Sequence, residues 1–307
     1  MFFESAFEGK NQWWRYLVMF LVAFLVANVI GSIPLIIAIA VKTAQDPSIL
    51  EAKPENLADF SVYGIDPNVS LVYLVLPFLV GLLAFILLIK PLNGRSFTSV
   101  VNGTRAIRWG RIVFSFLVWT LLFAVYLLVT LRLDPGNYRL NNTSSSLIIL
   151  ALIAILLVPF QTTFEEVLFR GYLMQGLGVA FRSKWWPLII TSVLFGLMHA
   201  INPEVKEFGF FVMMPQYIGF GLLFGLLTVF DDGIELAMGA HAANNVFLSI
   251  FLTQESSTLQ TDAMYEQQVV YPWTDFISLA LIGVVFIFIM KFVYKWKGNI
   301  FSLKSKV

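Results

Sequence analysis

The sequence predicts an all-α, polytopic membrane protein of about eight transmembrane helices with both termini cytoplasmic. Three observations carry this: the apolar excess, the spacing of the apolar stretches, and the placement of Lys and Arg. Of 307 residues, 58% are hydrophobic and 13% are charged, with a mean hydropathy of +0.81. An ordinary soluble domain is about a quarter charged. Thirty Phe side chains would be hard to hide in a soluble fold of this size, and lipid is their natural solvent.

A helix rises about 1.5 Å per residue, so roughly 20 apolar residues cross a hydrocarbon core of about 30 Å. Stretches of this kind lie near 14–41, 71–90, 112–131, 146–164, 185–200, 209–230, 234–252 and 273–294. The first is long enough to tilt, with Gly31 and Pro34 as kink sites. It is too long for the apolar region of a cleaved signal peptide and reads as an anchor that stays. The amphipathic stretch 165–181 either continues the fourth helix or forms a hairpin with the fifth. No repeat or low-complexity tract interrupts the pattern. The chain therefore reads as one integral membrane domain over 1–307, with its chemically distinctive core at about 146–252.

Orientation follows the bias of Lys and Arg toward the cytoplasmic side. Segment 90–111 holds Lys90, Arg95, Arg105, Arg108 and Arg111 with no acid, and the tail holds Lys291, Lys295, Lys297, Lys304 and Lys306. Arg182 and Lys184 mark a third basic turn. In contrast, 43–70 is rich in acids, and 253–272 holds Glu255, Asp262 and Glu266 with no base. Eight spans with both ends inside satisfy this pattern, with Asp231-Asp232 as its exception. The net charge of +1 gives no nucleic-acid footprint. The absence of cysteine removes disulfide, thiolate-metal and cysteine-nucleophile chemistry together.

Against this background five ionisable residues stand inside apolar segments: Glu165, Glu166, Arg170, His199 and His241. A carboxylate at the bilayer centre costs about 2.5–3.5 kcal/mol on insertion scales, so each such group is a functional candidate. Glu166 and Arg170 are i and i+4 with the acid first, the favourable order for a pair. Glu165 sits about 100° round the helix and is left free to titrate. His241 and Asn245 are also i and i+4 and share a face. A hairpin about Ser183 places Glu165 and His199 roughly 18 and 16 residues from the turn, a mismatch of about 3 Å, so the two could hold one water. The competing structural reading makes Glu166–Arg170 a packing ion pair and a lone histidine a satisfied core residue. Gln161, Thr162, Thr163 and Asn244 read as helix–helix hydrogen bonders.

Hydrolysis inside a membrane needs an activated water and donors for the developing oxyanion. Glu165 with His199 can supply the first, and His241 with Asn245 the second. The sequence has no H-E-x-x-H zinc motif and no G-x-S-x-G nucleophile setting. Two histidines and a glutamate could still form a His₂Glu zinc site, so a metal version stays open beside the cofactor-free one.

The runs EEVLFR, FGLMH and HAANN match E-E-x-x-x-R, F-x-x-x-H and H-x-x-x-N in order, over residues 165–245. Together they resemble the CAAX prenyl protease type 2 and bacteriocin-processing family of intramembrane glutamic endopeptidases. Residues 1–140 resemble it only in being helical and membrane-spanning. The resemblance implies a polar site open toward the cytoplasm. It makes Glu165 the general base, with His199 holding the water. Glu166 and Arg170 would orient the site, and His241 with Asn245 would form the oxyanion hole. It implies a membrane-associated protein or peptide substrate, either a prenylated C-a-a-X terminus losing its last three residues or an unprenylated one. The family also includes members without demonstrated proteolysis, so an immunity or scaffold protein, or a polar-relay transporter, is the alternative. The lipid bilayer is the surrounding partner. The location expected is a bacterial or archaeal cell membrane, or the endoplasmic reticulum if the source is eukaryotic.

Overall fold

A computed structural model describes residues 2–51, 59–104 and 106–296. Helix boundaries follow local capping chemistry. Helix α1 (Trp13–Ile30) is followed, after a turn at Gly31–Ser32, by α2 (Ile33–Gln45). The break falls where the sequence places the kink. A Cβ at Gly31 would run into Pro77, so glycine permits the close passage. Helix α3 (Pro67–Asn93) starts on Asp66, whose carboxylate accepts from the backbone N–H of Asn68 at 2.9 Å, with Pro67 in the first turn. It stops at Gly94, whose φ of 71° suits glycine. A short α4 (Phe97–Val101) leads to α5 (Trp109–Leu133) and the fourth apolar segment.

That segment is one continuous helix over Ser146–Phe181. It comprises α6 (Ser146–Glu166), a π-helical stretch Val167–Leu173 and α7 (Met174–Phe181). Helix α8 (Trp185–Met198), a short α9 (Pro203–Phe208), α10 (Phe210–Asp231), α11 (Glu235–Phe251) and α12 (Pro272–Tyr294) follow among the described residues. The protein is an all-α, multi-pass integral membrane protein. Among the described residues, six helices are long and apolar enough to cross a membrane. The two remaining expected spans, α8 and α11, are shorter at 14 and 17 residues. Fourteen residues rise only about 21 Å, less than a full hydrocarbon core.

Fourteen of the 17 residues of α11 are buried, which shields it from lipid and makes it the axis of the bundle. On one side Trp119, Phe123, Phe224, Leu236, Phe247 and Phe286 join it to α5, α10 and α12. On another, Leu71, Val75, Leu150, Ala154 and Val158 meet its Val246 and Ile250. The outer helices turn large apolar side chains such as Leu87, Leu121, Leu133 and Phe292 outward, as a lipid solvent requires.

One end of the bundle is tied by ions. Glu235, fully buried, accepts from Arg108 Nε at 3.0 Å and Nη2 at 2.5 Å, and from the Asn102 amide. Asp231 accepts from Arg111 Nη1 and Trp296 Nε1, each at 2.9 Å, while Phe2 N–H donates to Asp232 at 3.1 Å. The acids that broke the charge pattern are therefore partners of the basic segment. The N-terminal segment and the end of α12 meet at this same end. Arg105, Lys297, Lys304 and Lys306 lie outside the described residues. The opposite end carries a small sheet absent from the sequence reading. Its β1 (Tyr138–Leu140) pairs antiparallel with β3 (Tyr265–Gln267), which pairs parallel with β2 (Leu252–Thr253).

Replacing Arg108 by Ala strands the buried Glu235 and should cost about 3–5 kcal/mol, read as a lowered unfolding midpoint in detergent. Adding Glu235→Gln should restore part of it. Because the chain has no cysteine, single cysteines report sidedness cleanly. With the basic end cytoplasmic, Gln268→Cys in intact cells reacts with an impermeant maleimide, and Lys10→Cys reacts only after permeabilisation. The reverse labelling would invert the orientation.

Candidate functional site

The fourth apolar segment brings Glu165, Glu166 and Arg170 to the α11 axis. The carboxylate Oε1 of Glu166 accepts from Arg170 Nη1 at 2.9 Å and lies 2.8 Å from His241 Nδ1. A carboxylate beside an arginine can only accept, so Nδ1 of His241 carries the proton. Both Glu166 and Arg170 are fully buried. The guanidinium lies 4.0 Å from the Phe195 ring centroid and 5.6 Å from that of Phe224, a cation–π setting. Its Nη2 also donates to Gly221 O at 3.4 Å, binding α10. A Cβ at Gly221 would sit 2.7 Å from Ser192 Cα, so the close approach of α8 and α10 needs glycine there.

Glu165 points elsewhere. Its Oε2 lies 3.8 Å from His241 Nε2, is buried and has no hydrogen-bond partner. Gln161, one turn earlier, lines the same cavity as Glu165. His241 thus stands between the two glutamates, one nitrogen toward each, with its ring stacked on Phe224 at 4.8 Å. His199 ends α8. Its Nδ1–H donates to Phe195 O at 2.7 Å and its ring stacks on Tyr217 at 4.7 Å, leaving Nε2 as its acceptor. Asn245 Oδ1 accepts from Asn244 Nδ2 at 3.1 Å, so the Asn245 amide N–H groups remain available.

A cavity of about 270 Å³ is lined by Glu165, His199, His241 and Asn245, while Glu166 and Arg170 lie behind its wall. All six residues singled out in the sequence therefore converge, four on the cavity and two supporting it. Glu165 and His199, expected to hold one water between them, both line this cavity, and the structure adds a second histidine, His241, whose Nε2 lies 3.8 Å from Glu165 Oε2 because α11 runs alongside α6. The sequence also gave no sign of the Glu166–His241 bond, which spans 75 residues. Gln161 and Asn244 were legible as polar groups in apolar helices but not as neighbours of Glu165 and Asn245.

The cavity wall also includes Glu204, Gln254, Thr258 and Gln267, in the segments at the β-sheet end. The cavity thus extends away from the Arg108 cluster. As to zinc, among the described residues no three His, Asp or Glu side chains converge as a metal site. Nδ1 of both His241 and His199 is already engaged.

Stability should divide the two acids. Arg170→Ala strands Glu166 in the bilayer interior and should cost about 3–5 kcal/mol, while Glu165→Gln should move the unfolding midpoint little. A large loss in Glu165→Gln would show that Glu165 is structural.

Comparison with known proteins covers the segment that carries the site. A family model described as type II CAAX prenyl endopeptidase Rce1-like matches residues 144–247. The uncharacterized protein YyaK of Bacillus subtilis (strain 168) is 31% identical over 256 residues, covering 83% of each chain. No solved structure matches. With these matches laid on the buried Glu166–Arg170–His241 cluster, the chain belongs to the Rce1-like family of type II CAAX prenyl endopeptidases.

Proposed function

We propose that this chain is an intramembrane endopeptidase in which Glu165 activates a water for attack on a peptide carbonyl. The family is generally proteolytic, and the observation supporting this chemistry is the gap between Glu165 Oε2 and His241 Nε2. At 3.8 Å it is too long for a hydrogen bond, yet one water about 2.8 Å from each group bridges it. The Oε2 atom has no partner, so it is free to take the proton.

The roles then follow from the hydrogen bonds. The water donates one O–H to Glu165 Oε2 and the other to His199 Nε2. As its oxygen bonds to the carbonyl carbon, its proton passes to Glu165. The carbonyl oxygen becomes an oxyanion, stabilised by the Asn245 amide and by His241, which in this role carries a second proton on Nε2 beside the Nδ1–H held by Glu166. Collapse breaks the C–N bond, and the departing amine takes the proton from Glu165. Glu166 and Arg170 position His241 and do not touch substrate. No step uses a metal. The substrate is a membrane-associated peptide, with prenylated C-a-a-X termini as the class named by the family.

Wild type and variants in liposomes, given fluorogenic farnesylated peptides and a digest-free survey of membrane-protein termini, test this. Glu165→Gln should lower turnover by about 10²-fold or more, and Asn245→Ala should lower kcat by about 10²–10³-fold. Exhaustive chelation should leave the rate unchanged. Activity retained in Glu165→Gln ends the glutamate-base reading, and activity lost to chelation and restored by zinc ends the metal-free one.

A further inference from the structure

The two histidines are held in different ways. His241 lies within α11, whereas His199 stands just past the last residue of α8, at φ −93° and ψ 3°. A helix end is less restrained than its middle. The Nδ1–H bond to Phe195 O, at 2.7 Å, fixes one edge of the His199 ring. A single hydrogen bond still lets the ring swing about its own axis, so a second contact is needed to aim Nε2. Tyr217, on α10, supplies one by stacking at 4.7 Å with 24° between the ring planes.

Tyr217 is in turn held at its hydroxyl. Asn202 Nδ2 donates to that oxygen at 3.2 Å, and the hydroxyl donates to Glu204 Oε2 at 3.4 Å. Glu204 belongs to α9 and reaches the connection between β2 and β3. Its Oε1 accepts from the Thr258 backbone N–H at 2.8 Å, and its Oε2 from the Thr258 hydroxyl at 2.7 Å. These two bonds are short and engage both carboxylate oxygens, so they set where the carboxylate sits. The longer Tyr217 bond follows it. Three segments distant in sequence thus meet on one side chain, and His199, Glu204, Tyr217 and Thr258 all line the cavity.

The backbone on either side suits a tie that opens and closes. Gly209 joins the six-residue α9 to α10 at φ 94°, with open space where a Cβ would be, a hinge position that favours glycine. Farther along the connection, Thr261 Oγ1 donates to Ser249 O and Met264 N–H to Ile250 O, each at 2.8 Å. The connection is therefore pinned to α11 at its far end, and Thr258 sits on the span before that pin.

We propose that Tyr217 is a positioning residue for His199, and that Glu204 makes this positioning depend on Thr258, so the ring is aimed only while the β2–β3 connection is docked on α9. This deepens the endopeptidase reading and rests on it for what His199 does, though not for the coupling. An entering peptide segment displaces the connection, and re-docking completes the water site behind it, as in closures that assemble a site around substrate.

The chain has two histidines, so the full protein carrying isotope-labelled histidine in detergent micelles gives two imidazole NMR signals. The signal lost in His199→Asn is that of His199. Thr258→Val, which exchanges the hydroxyl for a methyl, should move the His199 signal and leave that of His241 in place. Thr258→Ser should hold it at the wild-type position. In a Tyr217→Phe chain, which keeps the ring and loses the link to Glu204, adding Thr258→Val should move nothing further. With farnesylated peptides, kcat should fall about tenfold or more in Thr258→Val and recover in Thr258→Ser. An unmoved His199 signal in Thr258→Val, an equal shift in the Tyr217→Phe chain, or a shifted signal with kcat unchanged each overturns the proposal. Where Thr258→Val does not fold, Glu204→Asp draws the carboxylate back and should move the same signal; a fixed signal there overturns the proposal equally. The expected signal changes without cleavage by the wild type keep the coupling and remove the protease reading, while cleavage without signal changes does the reverse.

Discussion

A single carboxylate oxygen in a lipid-embedded bundle governs the arrangement of this site. Glu166 Oε1 is wholly buried and receives both Arg170 and His241. A buried charge is tolerated only when paired and hydrogen-bonded, and here the pairing recruits two separate helices. Arg170 adds a third through Gly221 O and is walled in by Phe195 and Phe224. Because the arginine is committed to Glu166, Glu165 is left uncompensated beside a cavity. The paired acid and the unpaired acid are adjacent in sequence, and helix geometry alone separates them.

Much of this was legible in the sequence because it is local. The i,i+4 spacing gave Glu166–Arg170, and the isolation of Glu165 followed from its angular offset. Apolar runs gave the helices to within a few residues, and Gly31 marked the first break. What could not be read is tertiary. Whether His199 or His241 stands nearer Glu165 depends on where α8 stops and which helix lies along α6. The join at 165–181 resisted a choice between continuation and hairpin, because a π-helical stretch preserves the helix while altering its period. Strands of two or three residues in polar connections show no alternation to detect, so the sheet left no trace.

The two ends of the molecule divide the work. One is stapled by Arg108, Arg111, Asp231 and Glu235 around the N-terminal segment and the end of α12. The other is built from longer polar connections and a scrap of sheet, and it forms the far wall of the cavity. Loops positioned on a rigid frame are where recognition usually resides. Here the frame is ionic at one end, and polar connections border the cavity at the other.

The π-helical stretch Val167–Leu173 follows directly after the paired glutamates. A wider turn there resets the angular phase of everything that comes later in the helix. The residues before it answer to lipid and to α11, whereas those after it answer to Phe3 and Tyr16, which crowd Gly178 and Gly176. The helix is thus a jointed rod whose two halves keep separate rotational accounts. Loss of one residue within the joint would leave both halves helical while swinging one by roughly 100° relative to the other. Besides the identity of Arg170, its length is what this stretch must conserve.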